Sequence, residues 1–283
     1  MEQWVETNGI RLAYLDHSGP GEPLILLHGL TANAHFFNGL IQAGLNEKTR
    51  VIAVDLRGRG QSSQPAVGYT MADHAADIIG LFDALGLQQA ILGGHSFGGL
   101  LTLFIAANYP ERVKQLIVMD AAAAAARPEV VEAIKPSLDR LGQIMPSWAV
   151  YRDAMKHSPY YYDGFWNAAL EEYYHADVET RADGSVQSRT KPAAIRQVIE
   201  GVLAVDWADV LAKIHQPVLL LNAPQPIAGP GTAPVLSEAG AMETVNALSN
   251  CVYVKTPGHH ITMFFGENAR HVVRTIHNFI SQD

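Results

Sequence analysis

The sequence predicts an α/β protein: a doubly wound, mostly parallel β-sheet with helices on both faces and a helical cap inserted after the sixth strand. Three observations predict it. Short Val/Ile/Leu runs recur without the polar alternation of a half-exposed strand, which suits strands buried on both faces of a parallel sheet. Segments with helical spacing lie between them, as crossovers between parallel strands require. The rhythm stops after Asp120 and resumes at Pro217, leaving room for an insertion.

Arg11 to Asp16 and Pro23 to His28 read as strands, the second with an unbroken apolar run from Leu24 to Leu27. Arg50 to Asp55, Gln89 to Gly93 and Gln115 to Met119 repeat the type, as do Pro217 to Leu221 and Cys251 to Lys255. Met71 to Leu85 places Ile78, Ile79, Phe82 and Leu85 near helical spacing, with Gly86 as a stop signal. Leu100 to Tyr109 reads as a second helix ended by Pro110, and Glu267 to Ile280 as the last. The insertion holds a run of alanines from Ala121 to Ala126, readable as a helix start or a small-residue turn. An aromatic cluster between Tyr160 and Tyr174 follows. The domain division expected is a core of residues 1–120 and 207–283, interrupted by a helical cap of residues 121–206.

Composition removes several classes of function. The 283 residues carry 20 Lys and Arg against 28 Asp and Glu, a formal charge of -8, which argues against a nucleic-acid partner. The lone Cys251 excludes an internal disulfide framework, and no HExxH occurs. Met1 to Asn8 has Glu2 and Glu6 and no apolar run, unlike a signal peptide. With no apolar run near the ~18 residues of a membrane span, no membrane partner is expected and a cytoplasmic location is. The oligomeric state is not readable.

The chemistry-bearing signal is Gly94-His95-Ser96-Phe97-Gly98, between an expected strand and an expected helix. In that context the glycines permit a turn too tight for side chains, exposing the serine oxygen at the sheet edge. The helix that follows points its first amides at the same place, favouring developing negative charge. His28-Gly29-Leu30-Thr31 ends an earlier strand, and the segment from Asp55 to Ser62 (DLRGRGQS) ends the next.

Taken in this order and spacing, the HG, DLRGRGQS and GHSFGG motifs make the chain resemble the α/β-hydrolase superfamily over nearly its whole length, least in the insertion. The resemblance implies that Ser96 is the nucleophile and that the amides of Leu30 and Phe97 form the oxyanion hole. It also implies a histidine after the last strand, where His259 and His260 stand side by side. A G-H pattern would favour His259; the His-Ile-Thr pattern favours His260, which is preferred here.

The acid departs from the commonest pattern. The loop after Pro217 to Leu221, where most relatives place Asp, reads Asn222-Ala223-Pro224-Gln225-Pro226-Ile227-Ala228-Gly229 and has no carboxylate. Some relatives supply the acid from the end of the preceding strand, which here is Asp120; the alternative is a strand-terminal Asp that caps the next segment. His28 reads as a loop anchor, and Arg57 and Arg59 as loop-holding residues rather than an anion site. His95 is expected beside the substrate. Tyr161 and Trp166 are candidates for the pocket wall or for simple packing of the cap. The resulting expectation is a carboxylesterase- or lactonase-like enzyme with a Ser96-His260-Asp120 triad, no cofactor and a small, fairly apolar, uncharged ester or lactone as substrate. Carbon-carbon, amide or carbamate hydrolysis on the same triad is the nearest alternative, and a non-catalytic small-ligand receptor on the same fold is the alternative of another class.

Overall fold

The computed structural model describes residues 2–123 and 134–281. Eight strands form the main sheet: β1 (Glu2–Thr7), β2 (Ile10–His17), β3 (Leu24–Leu27), β4 (Val51–Val54), β5 (Ala90–His95), β6 (Val113–Met119), β10 (Val218–Asn222) and β11 (Cys251–Lys255). Their order is β1-β2-β4-β3-β5-β6-β10-β11, parallel from β4 onward and antiparallel where β2 meets β1 and β4. β1 has no apolar run in the sequence because it is an edge strand with Gln3 and Trp4 exposed.

The unbroken apolar runs have a direct explanation in this sheet. Ile25 and Leu27 of β3 join the core on one face, while Leu24 and Leu26 join the core on the other. β6 does the same, with Leu116 and Val118 on the first face and Ile117 and Met119 on the second. Helices Met71–Ala84 and Phe97–Asn108 cover the first face, and Gly266–Ile280 covers the second. The Met71–Ala84 helix starts on a capping box, with the Thr70 hydroxyl accepting from the Asp73 amide and the Asp73 carboxylate accepting from the Thr70 amide.

The cap corrects one expectation. It is mainly helical, with Trp148–Lys156, Ala168–Asp177 and Pro192–Leu203, but it also holds an antiparallel sheet. That sheet pairs β7 (Ile144–Met145), β9 (Val186–Ser188) and β8 (Val178–Thr180) in the order β7-β9-β8. Strands this short carry no periodicity that a sequence window could detect. Of the alanine run, Ala121 to Ala123 are described, and the reading made for Ala124 to Ala126 lies outside the described residues.

Candidate active site

Ser96 sits where β5 gives way to the Phe97–Asn108 helix, with φ 53° and ψ -118°. A positive φ is unfavourable for a residue with a Cβ, so the surroundings must hold it there. The Ser96 amide donates to the Met119 carbonyl at the end of β6 (3.1 Å), and the Ser96 carbonyl accepts from Gly99 (2.9 Å) and Leu100 (3.1 Å). A Cβ on Gly94 would overlap the Gly98 carbonyl, and one on Gly98 would overlap the Leu27 carbonyl. Both glycines are therefore required by close backbone approach. The second approach brings the end of β3, and the loop after it, against the serine. The Phe97 and Gly98 amides precede these first helical bonds to the Ser96 carbonyl and so have no acceptor within the helix.

The loop after β3 is anchored by the side chain read as structural. His28 is fully buried; its Nε2 accepts from the Leu56 amide (3.0 Å), which leaves Nδ1–H to donate to the Gly29 carbonyl (2.8 Å). That carbonyl belongs to the same peptide as the Leu30 amide, so His28 sets the plane of the expected oxyanion donor. Burial, with the Arg59 charge nearby, holds the His28 imidazole down to about 3, keeping it neutral. Arg59 also donates to the Leu30 carbonyl (3.0 Å). Arg57 forms a buried two-point ion pair with Asp77. Both arginines thus hold loops together.

Asp120 ends β6 with φ 47°, and 1% of its surface is exposed. One carboxylate oxygen lies 2.7 Å from His260 Nδ1. The other accepts from Asn222 Nδ2 (2.9 Å) and from the Ala223 amide (2.8 Å). The loop that lacks an acid therefore supplies donors to the acid of its neighbour. Asn222 is itself oriented by the Leu236 carbonyl and by the Tyr253 hydroxyl, which donates to its Oδ1 (3.0 Å). Sequence reading missed Asn222 and Tyr253 as partners of the site; the only available signal was an amide residue at the end of the strand that leads into the loop without a carboxylate.

The adjacent histidines separate cleanly. His260 faces Asp120 and lines the same cavity as Ser96. His259 turns the other way: its Nδ1 accepts from the Ile261 amide (3.3 Å), and its Nε2–H donates to the Tyr160 carbonyl (3.0 Å). Burial, with His260 beside it, lowers the His259 imidazole to about 4, so it is a neutral anchor between the core and the cap turn Pro159–Tyr161.

The cavity over Ser96 has a volume of about 80 Å³. Its core wall includes Leu30, Phe36, His95 and His260, and its cap wall includes Tyr160, Tyr173, Tyr174 and Arg140. His95 is buried, stacks on Phe36 (ring centroids 4.9 Å apart) and lies 4.3 Å from the His260 ring. Tyr161 and Trp166, considered for the pocket wall, do not line it. Trp166 stacks flat behind Tyr174 (5.5 Å, 8°), and the Tyr161 hydroxyl bonds the Tyr174 hydroxyl (3.0 Å). They form a second layer, because a wall of tyrosines needs its own apolar backing. Cys251, partly buried against the core of the first sheet face, has its thiol raised to about 11 by burial and lies outside the site.

Residues 22–176 match the family described as alpha/beta hydrolase fold. The chain belongs to that family. A 2-(acetamidomethylene)succinate hydrolase of Mesorhizobium japonicum is 39% identical over 102 residues, 36% of either chain. A 2-hydroxymuconate semialdehyde hydrolase of a Pseudomonas species is 38% identical over 152 residues, 51% of this chain and 50% of that one. The chain thus spans between about a third and a half of the length of these curated relatives. The crystal structure of an E-2-(acetamidomethylene)succinate hydrolase superposes with a TM-score of 0.84 over 99% of both chains at 24% identity, a likeness of fold. Among the described residues, no helix of this α/β-hydrolase chain is long and apolar enough to cross a membrane.

Proposed function

We propose that this protein is a serine hydrolase with Ser96 as nucleophile, His260 as base and Asp120 as acid, acting on a small carboxylic ester or lactone. The observation that carries the reading is the 2.7 Å bond from His260 Nδ1 to Asp120, with the same imidazole facing the cavity that holds Ser96. His260 takes the Ser96 proton as the serine oxygen attacks the substrate carbonyl. The resulting oxyanion rests on the Leu30 and Phe97 amides, donors typically worth about 100- to 1000-fold each. The carbonyl re-forms as the carbon-oxygen bond to the leaving group breaks, and His260 returns its proton to that group. Water then repeats the sequence on the acyl-enzyme and frees Ser96.

The cavity wall supports an uncharged substrate. Arg140, the cation among the described lining residues, donates from each of its three nitrogens to protein acceptors. A second reading, hydrolysis of a carbon-carbon bond in a ring-cleavage product, draws on the relative named 2-hydroxymuconate semialdehyde hydrolase. It uses the same three residues and differs in substrate charge.

The test is a fluorophosphonate probe followed by turnover of short p-nitrophenyl esters, a small lactone and 2-hydroxymuconate semialdehyde. Labelling at Ser96 with ester or lactone turnover is the expected result. Labelling with turnover of the ring-cleavage product alone moves the assignment to the second reading. No labelling and no turnover of any of them would overturn the hydrolase reading in favour of a small-ligand receptor.

A further inference from the structure

Arg140 is one of the residues through which the cap and the core exchange side-chain hydrogen bonds beside the cavity, with His259 to the Tyr160 carbonyl and Asn33 to the Tyr173 carbonyl as others. Arg140 follows the short helix Lys135–Asp139, and its guanidinium is almost wholly buried. Its Nε lies 3.3 Å from both Asp177 Oδ2 and the Tyr151 hydroxyl, and its Nη1 donates to the Ser137 carbonyl. The Tyr151 and Ser188 hydroxyls both donate to Asp177. Four segments of the cap thus converge on one ion pair.

Nη2 also lies 3.4 Å from Asp177 Oδ1, and the other contacts of Arg140 leave the cap. Nη2 donates to the Thr31 carbonyl (2.7 Å) and Nη1 to the Thr31 hydroxyl (3.2 Å). Thr31 directly follows Leu30, whose own carbonyl is held from the core side by Arg59. The loop that carries the expected oxyanion donor is therefore gripped at successive carbonyls by two buried arginines, one from each part of the molecule. A planar guanidinium fork fixes the relative position of its partners in a way that a single ammonium cannot. Every part of this fork is committed to protein groups, so its effect on substrate is exerted through the loop.

We propose that Arg140, clamped by Asp177, is a positioning residue for the Leu30 amide: it latches the cap to the oxyanion loop, so the loop holds its reactive shape only while the cap is seated. The catalytic half of this statement rests on the serine-hydrolase reading above; the mechanical half does not. Closure of the cap over a substrate and assembly of the oxyanion hole become one event, and a displaced cap leaves Ser96 with a weakened hole.

The experiment compares the parent with Arg140→Lys, which keeps the charge and loses the fork, and with the charge-balanced pair Arg140→Met/Asp177→Asn. Amide hydrogen exchange is read at Ala32, whose bond to the Gly29 carbonyl closes the loop, and in the cap helix Trp148–Lys156. Steady-state kinetics on p-nitrophenyl acetate are measured in parallel. Exchange at Ala32 is expected to rise about tenfold in both variants with the cap helix unchanged, because local opening tracks local bonding. In the same variants kcat is expected to fall about 10- to 100-fold with KM within about twofold, as for an interaction felt only in the transition state. Unchanged Ala32 exchange in both variants, or a raised KM with unchanged kcat, overturns the latch; the latter result would make Arg140 a wall or substrate-binding residue. Raised exchange in the variants of a parent that itself neither labels with fluorophosphonate nor turns over ester sinks the hydrolase reading and leaves the mechanical latch supported.

Discussion

The two halves of the site are built by different means. On the core side, Ser96 and Asp120 are held by strand ends, close glycines and backbone hydrogen bonds, and both adopt positive φ. Among the described residues the only other non-glycine residue with positive φ is Asn8, at a turn away from the site. On the cap side the wall is made of side chains: Tyr174 tilted against Tyr173 and stacked on Trp166, the Tyr161–Tyr174 hydroxyl pair and the buried Arg140–Asp177 pair. Backbone strain fixes atoms within tight limits and tolerates no change of residue. A side-chain wall can be re-shaped one residue at a time while the chemistry beneath it stays in place.

That contrast predicts effects that shrink from core to cap. Ser96→Ala should remove turnover and probe labelling altogether while the thermal midpoint stays within a few degrees; retained turnover would dismantle the triad. Asp120→Asn should lower kcat by about 10⁴-fold, since an amide at that place holds His260 in the wrong tautomer. A loss below about tenfold would mean that the carboxylate acts structurally.

An intermediate effect comes from the histidines that brace the core loops. His28 and His259 have depressed values in the folded chain, about 3 and about 4, so below pH 6.5 the unfolded chain binds protons that the folded one refuses. Their stabilisation is complete above pH 6.5 and is lost as the pH falls toward those values, by up to about 1.4 kcal/mol per pH unit for each. Buried Asp55, raised to about 6 by desolvation, acts in the opposite sense between about pH 4 and 6, because there the folded chain keeps a proton that the unfolded one releases. Urea unfolding between pH 7 and 5 should therefore show a net loss of stability, and His28→Gln should flatten the slope. An unchanged slope in that variant would show that His28 does not titrate with unfolding.

The smallest effect belongs to the second layer of the cap. Tyr161→Phe removes the hydroxyl bonded to Tyr174 and should lower stability by about 1 kcal/mol. Its KM for a short ester should stay within about twofold of the parent, because Tyr174 still covers it from the cavity. A tenfold change in KM would place Tyr161 in contact with substrate after all.

The elements that share one face pattern or one motif could be read directly. The buried strands show as unbroken apolar runs, and the elbow around Ser96 shows through glycines that close packing makes compulsory. Asp120 came into view through the family resemblance, which implies an acid at the end of the preceding strand where the loop from Asn222 to Gly229 lacks a carboxylate. Edge strand β1 and the cap sheet left no trace, since exposed or very short strands have no periodic apolar face. Tyr161 and Trp166 could not be told from Tyr173 and Tyr174, because aromatic residues that line a cavity and those that back it have the same composition.

Local sequence thus singled out the groups proposed for catalysis: a serine in a glycine-rich turn, a histidine pair and an acid at a strand end. Tertiary structure chose among them. It turned His260 rather than His259 toward Asp120, made Asn222 a donor to Asp120, and carried Arg140 across from the cap to Thr31. The reason is geometric. A backbone turn is written in a few consecutive residues, whereas the direction of a side chain across more than 100 residues of intervening chain depends on how the whole fold packs.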